Sequence, residues 1–182
     1  RELEEAVKEV EKKIRELRER LKEVVERSTK KMDDLRKENE KVMRESSELV
    51  TELVKEIKDR ASDKDKARRV IEELEKVNRE LKKEHDKTVK ELEDVNRRIE
   101  RKAREVEREL EEVLRDIERL IREGVDLKDL RKKVDDVARK VDKILEDLER
   151  ESDTVLDRVK KVLERSRRDS EDVARRVEEK VR

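Results

Sequence analysis

The sequence predicts an all-α protein, a straight up-down-up bundle of three long helices with little or no supercoil. Three observations carry that expectation. The 182 residues include no proline and a single glycine, Gly124, and almost all are good helix formers. The helical pattern is broken at only two places. Within the helices, apolar residues recur every eighteen positions, which is five turns of an undistorted α-helix.

The first helix is expected over about 2–61. It ends at the break Arg60-Ala61-Ser62-Asp63-Lys64-Asp65, where Ser62 is the expected N-cap of the next helix, with Asp65 three positions on. The second helix then runs over about 63–123. Gly124 can take the left-handed conformation that closes a helix, and Asp126 is placed to cap the third, about 127–181. Val125 would staple against Leu130. Connections this short force each helix to fold back on the one before it. Residues 1–182 thus read as one three-helix bundle.

A strict seven-residue repeat would impose a left-handed supercoil and an eleven-residue repeat a right-handed one. Eighteen is their sum. In the first helix Leu17, Leu35 and Leu53 keep this spacing, as do Ile14, Met32 and Val50. The second gives Leu74, Leu92 and Leu110, and also Leu81, Ile99 and Ile117. The third gives Leu127, Leu145, Leu163 and Val181, with Val137, Val155 and Val173 beside them. At about 100° per residue each helix fills one arc roughly 120° wide, enough to touch two neighbours. The remaining positions are charged, with favourable within-helix pairs such as Glu9–Lys13, Glu16–Arg20, Glu72–Lys76 and Glu100–Arg104.

Lys and Arg number 55 and so do Asp and Glu, so 60% of the chain is charged and the net charge is zero. That balance argues against nucleic acid, whose binding needs a cationic surplus, and no aromatic residue is present to stack on bases. No apolar run approaches the ~18 residues of a membrane span. The start Arg1-Glu2-Leu3 carries no targeting signal. Without cysteine, neither a disulfide nor thiol chemistry is expected. The expected protein is soluble, of unspecified location, and needs no metal, cofactor or small molecule.

Nine polar residues fall near the middle of the apolar arcs: Ser28, Asn39 and Ser46, then Asn78, His85 and Asn96, then Ser152, Ser166 and Ser170. In an antiparallel pair, residues at one level have a constant sum of numbers. Ser28 with Asn96, Asn39 with His85, and Ser46 with Asn78 each sum to 124; Asn96 with Ser152 and Asn78 with Ser170 each sum to 248, and His85 with Ser166 to 251. The nine therefore group into three levels, one residue per helix. A buried polar group without a partner costs about 1–3 kcal/mol, so interior polar residues should sit opposite one another. Each asparagine is expected to bridge two serines, and His85 to join Asn39 and Ser166 with Thr88 nearby. Such layers set register, because a slipped helix leaves them unpaired.

These features together resemble computationally designed (de novo) helical bundles with buried hydrogen-bond networks. The Glu/Lys/Arg surface, the Leu/Val/Ile core, the eighteen-residue repeat, the Asn/Ser/His layers and the connector Glu123-Gly124-Val125-Asp126-Leu127 carry the resemblance, which covers the whole chain. It implies a stable scaffold and no catalytic activity. Ser166, His85 and Asn39 do have the residue types of a nucleophile, base and orienting group, but a solid interior offers no substrate cleft or oxyanion hole. One histidine without cysteine is a poor metal site. The expected state is a monomer. The alternative is an interaction module that receives a further helix or self-associates, with Leu49 and Val54 as its stickiest end.

Overall fold

The computed structural model describes residues 2–124 and 126–181, the side chain of Val181 excepted. The chain is an all-α three-helix bundle: α1 (Glu2–Arg60), α2 (Lys64–Glu123) and α3 (Leu127–Val181) contain 59, 60 and 55 residues. Each helix starts with acidic residues in its first turn and ends with basic ones in its last, complementing the partial charges at the two helix ends. The expected Val125–Leu130 staple and the core position at Val181 lie outside the described residues.

The connectors show how each helix is stopped and restarted. After α1, the Ala61 amide still reaches the Ile57 carbonyl at 3.0 Å. The cap of α2 is Asp63 and not Ser62: Asp63 Oδ1 accepts from the Asp65 and Lys66 amides at 3.1 and 3.3 Å. Asp63 holds this position because its carboxylate satisfies two free amides and adds negative charge at the helix start. Asp126 repeats the arrangement for α3, accepting from the Lys128 amide at 3.1 Å. At the end of α2, Gly124 has a φ of 68° and donates its amide to the Leu120 carbonyl at 2.9 Å, the single-bond left-handed closure.

Two compact units make up the chain, one from residues 1–31 with 95–154 and one from 32–94 with 155–182. In the first, Lys13–Asp135, Arg20–Asp142, Arg27–Glu149 and Lys31–Asp153 pair α1 with α3, every pair 122 positions apart. A constant difference means the two helices run parallel. Across α2 and α3, Arg98–Glu151, Asp116–Lys133 and Glu109–Lys140 all have numbers summing to 249, so α2 runs antiparallel. In the second unit Asn39–His85 links α1 to α2 and Ser46–Ser170 links α1 to α3. Each unit is therefore up-down-up.

Burial follows the eighteen-residue period. Ile14, Met32 and Val50 are buried, as are Leu74, Leu92 and Leu110, and Leu145 and Leu163. Val137, Val155 and Val173 are half-buried in every repeat and mark the edge of the arc. Full burial of such side chains contributes about 1.5–3 kcal/mol each. The second unit divides its core in two. Val50, Leu53, Ile57, Val70, Leu74 and Val177 form one cluster; Met32, Leu92, Leu156, Val159 and Leu163 form the other. In each helix, polar members of the predicted levels lie between the two. Leu49 and Val54, expected as an adhesive end, pack against the first cluster.

The connector geometry separates neighbouring substitutions. Asp63→Ala should cost about 1 kcal/mol, whereas Ser62→Ala should fall within about 0.5 kcal/mol of wild type. Gly124→Ala meets no atom within 4 Å yet should cost about 1–2 kcal/mol through its left-handed backbone alone. Urea unfolding midpoints at constant slope would check all three.

Candidate functional site

The nine polar residues differ in depth. Ser28, Asn39, Ser46, Ser152 and Ser170 are buried, between 2% and 9% exposed. Asn78, His85, Asn96 and Ser166 are only half-buried. The half-burial of His85 corrects the expectation that it lies fully inside. Between Leu74 and Thr88, α2 has no buried residue, so the imidazole stands at the margin of the core.

Hydrogen bonding brings some of the predicted partners together. Asn39 Nδ2 donates to His85 Nδ1 at 2.8 Å and faces the His85 carbonyl oxygen at 3.5 Å. An amide nitrogen only donates, so Nδ1 is the acceptor in this contact. Ser46 Oγ and Ser170 Oγ lie 3.0 Å apart, and Ser170 Oγ donates to the Ser166 carbonyl at 2.9 Å. The two serines thus pair directly instead of through Asn78, whose Oδ1 is buried without a partner. Two short hydroxyl side chains can meet directly only where the helices come close, and a bridging amide then has no room between them. The predicted Ser28–Asn96–Ser152 bridge is likewise not made: half-buried Asn96 turns its Nδ2 to Glu100 Oε1 at 3.5 Å, and Ser152 Oγ is buried and unpaired.

A cavity of about 10 Å³ lies among Asn39, Ser46, His85, Thr88 and Ser166. That is about the space of one water molecule. It brings Ser166 to the same level as His85. Among the described residues no group of three or more His, Cys, Asp or Glu is arranged to hold a metal ion, and no helix is long and apolar enough to cross a membrane.

A second set of polar contacts, not anticipated from the sequence, lies along the seams. Lys13 and Arg20 were expected to pair within α1, with Glu9 and Glu16. Instead they cross to Asp135 and Asp142 on α3, while Glu100–Arg104 forms as expected, at 3.7 Å. In the first unit α1 supplies the cations and α3 the anions. In the second the polarity reverses, with Glu38 of α1 pairing to Arg167 of α3. The signal was present as opposite charges at a constant difference of 122, visible once two helices are compared in parallel. These contacts change the acids and bases they join. The hydrogen bond and charge of Lys13 hold Asp135 below the ordinary carboxylate range, and those of Glu109 raise Lys140 above the ordinary lysine value.

No protein-family model, curated protein or solved structure matches the chain.

Two measurements follow from these contacts. Asp135 should titrate below an ordinary aspartate in a carbon-detected NMR titration and return towards it in Lys13→Ala. The stability it contributes is complete above the unfolded value of about 3.9 and is lost as pH falls through the lowered folded value. Separately, Ser152→Ala removes an unpaired buried hydroxyl and should stabilise by about 1 kcal/mol, whereas Ser170→Ala removes two hydrogen bonds and should destabilise by about 1 kcal/mol. Guanidinium unfolding would show the opposite signs.

Proposed function

We propose that this chain is a designed structural scaffold, a monomeric three-helix bundle whose interior polar residues hold the helices in one register. The observation that carries this reading is the placement of the Asn39–His85 and Ser46–Ser170 hydrogen bonds in the stretch between two separate apolar clusters. A core of Leu, Val and Ile repeating every eighteen residues packs acceptably in more than one register. Polar groups that are paired in only one of them remove that degeneracy. The saturated surface, the repeat and the compact connectors support a designed origin.

On this reading His85 is a hydrogen-bond acceptor for Asn39 and not a general base. A catalytic serine needs its hydroxyl on the imidazole and a site for the reacting atom; here the imidazole nitrogen in contact is taken by an amide. The small cavity beside it supports the same reading.

Replacing Asn39, Ser46, His85 and Ser170 together by leucine or alanine tests the register role. The variant should melt higher than wild type, because buried polar groups give way to apolar ones. It should also lose uniqueness, giving additional or broadened amide peaks in a two-dimensional NMR spectrum and mixed masses in light scattering. A single sharp set of peaks from a monomer would overturn the proposal.

A further inference from the structure

The eighteen-residue repeat provides an internal control for every position, and one place in the second unit departs from it. A groove of about 540 Å³ runs between α2 and α3, with Val77, Leu81 and Val162 on its floor. All three are half-buried. Their repeat equivalents are buried: Val95 and Val113 for Val77, Ile99 and Ile117 for Leu81, and Ile144 for Val162. The apolar floor keeps the repeat, but Ser166 on the same wall stands where the repeat has the fully buried Leu148, and the α2–α3 seam is not closed here.

The charges at the rim also depart from the repeat. Glu80 and Asp169 line the two sides of the groove. Eighteen positions away, their equivalents are Arg98 and Glu151, which join α2 to α3 at 3.4 Å. Where the repeat has a cation opposite an anion, the groove has two carboxylates. Neither Glu80 nor Asp169 has an ion-pair partner among the described residues, and Lys83 and Glu84 line the groove beside Glu80. Arg165 and Arg176, on the same wall four residues before and seven after Asp169, are exposed and also without one.

We infer that this groove is a docking site for an amphipathic helix of another chain, which lays an apolar stripe on Val77, Leu81 and Val162 and places a lysine or arginine between Glu80 and Asp169. Helix-in-groove recognition of this kind is read from a few apolar anchors on one face. The incoming cation restores the charge that the repeat has at Arg98, and acidic residues of the partner meet Arg165 and Arg176. The wall from Val162 to Arg176 spans about 21 Å, so the bound segment is about four turns long. A second folded copy does not fit the role. Among the described residues the exposed large apolar side chains are Leu3 and Ile121, one on each of two helices, which is not a stripe.

The inference rests on the three-helix fold and not on the register role of the interior polar residues, so either can fail alone. Two peptides of about 18 residues would be titrated against the full chain by fluorescence anisotropy. Both carry the same Leu/Val stripe; one presents lysine to Glu80 and Asp169 and glutamate to Arg165 and Arg176, and the other has these signs exchanged. The matched peptide should bind at least about tenfold tighter and lose its advantage in high salt. Glu80→Arg should rebuild the seam ion pair to Asp169, raise the melting temperature and weaken the matched peptide at least about tenfold, with circular dichroism confirming the helical fold. Equal affinity for the two peptides, absence of binding, or undiminished binding to Glu80→Arg would overturn the inference. So would a wild-type dimer in light scattering that Glu80→Arg converts to monomer, which would assign the groove to a second copy.

Discussion

Register is the constraint on which the rest of this molecule depends. An eighteen-residue repeat lets every helix superimpose on itself after five turns, so Leu145 and Leu163, or Leu74, Leu92 and Leu110, are interchangeable as far as burial is concerned. The hydrophobic effect is proportional to area and has no direction. It drives the three helices together strongly without choosing how far each slides along the others. In the scaffold proposed above, that choice falls to groups with directional needs. A mispaired buried hydroxyl or amide costs about 1–3 kcal/mol, which a small number of interior residues multiplies into a clear preference. The exposed ion pairs along the seams act in the same direction, more weakly and subject to screening by salt.

The two sets of polar contacts have complementary geometry. The α1–α3 ladder in the first unit repeats at a difference of 122 with cations always on α1. In the second unit the Glu38–Arg167 pair has its anion on α1. A shift of α3 by eighteen positions would set Arg20 against Lys160 and Arg27 against Arg167 but Lys13 against Asp153 and Lys31 against Glu171, so the ladder opposes that shift only in part. On the proposed reading the interior pairs set the register and the exposed ladder adds a weaker preference.

Much of this was legible in the sequence because helices obey simple arithmetic. The three helices, their approximate ends and the connector role of Gly124 and Asp126 follow from composition and two interruptions. The level shared by Asn39 and His85 follows from a constant sum. What failed was depth. An arc drawn at 100° per residue places Asn39 and His85 equally near its middle, yet one is buried and the other half-exposed, because depth depends on how closely neighbouring helices approach. The same missing distance explains why Ser46 and Ser170 meet directly and Asn78 does not bridge them. Local competition also misled: Ser62 and Asp63 are both good caps, and only the chain path selects the carboxylate. Lys13 and Arg20 had partners available within α1 and on α3, and the choice depends on where the seam runs.

A repetitive sequence also makes its own exceptions interpretable. In an irregular protein a half-buried leucine carries little information, since partial exposure of apolar side chains is common. Here Leu81 can be compared with Ile99 and Ile117, which occupy the same phase of the same helix and are 2% and 4% exposed. Helix propensity, arc position and side-chain size are thereby matched, and what differs is the surroundings: Ser166 in place of Leu148 and His85 in place of Ala103 inside, and the charges on the rim. At the level of Glu80 and Asp169 the rim differs from the repeat by a reversal of charge, where Arg98 and Glu151 attract. Ser166 stands where the repeat has the fully buried Leu148, and Glu80 where it has Arg98, so the groove differs from its counterpart both in core volume and in rim charge. Glu80 and Asp169 give the groove its negative rim, and Arg165 and Arg176 the positive part.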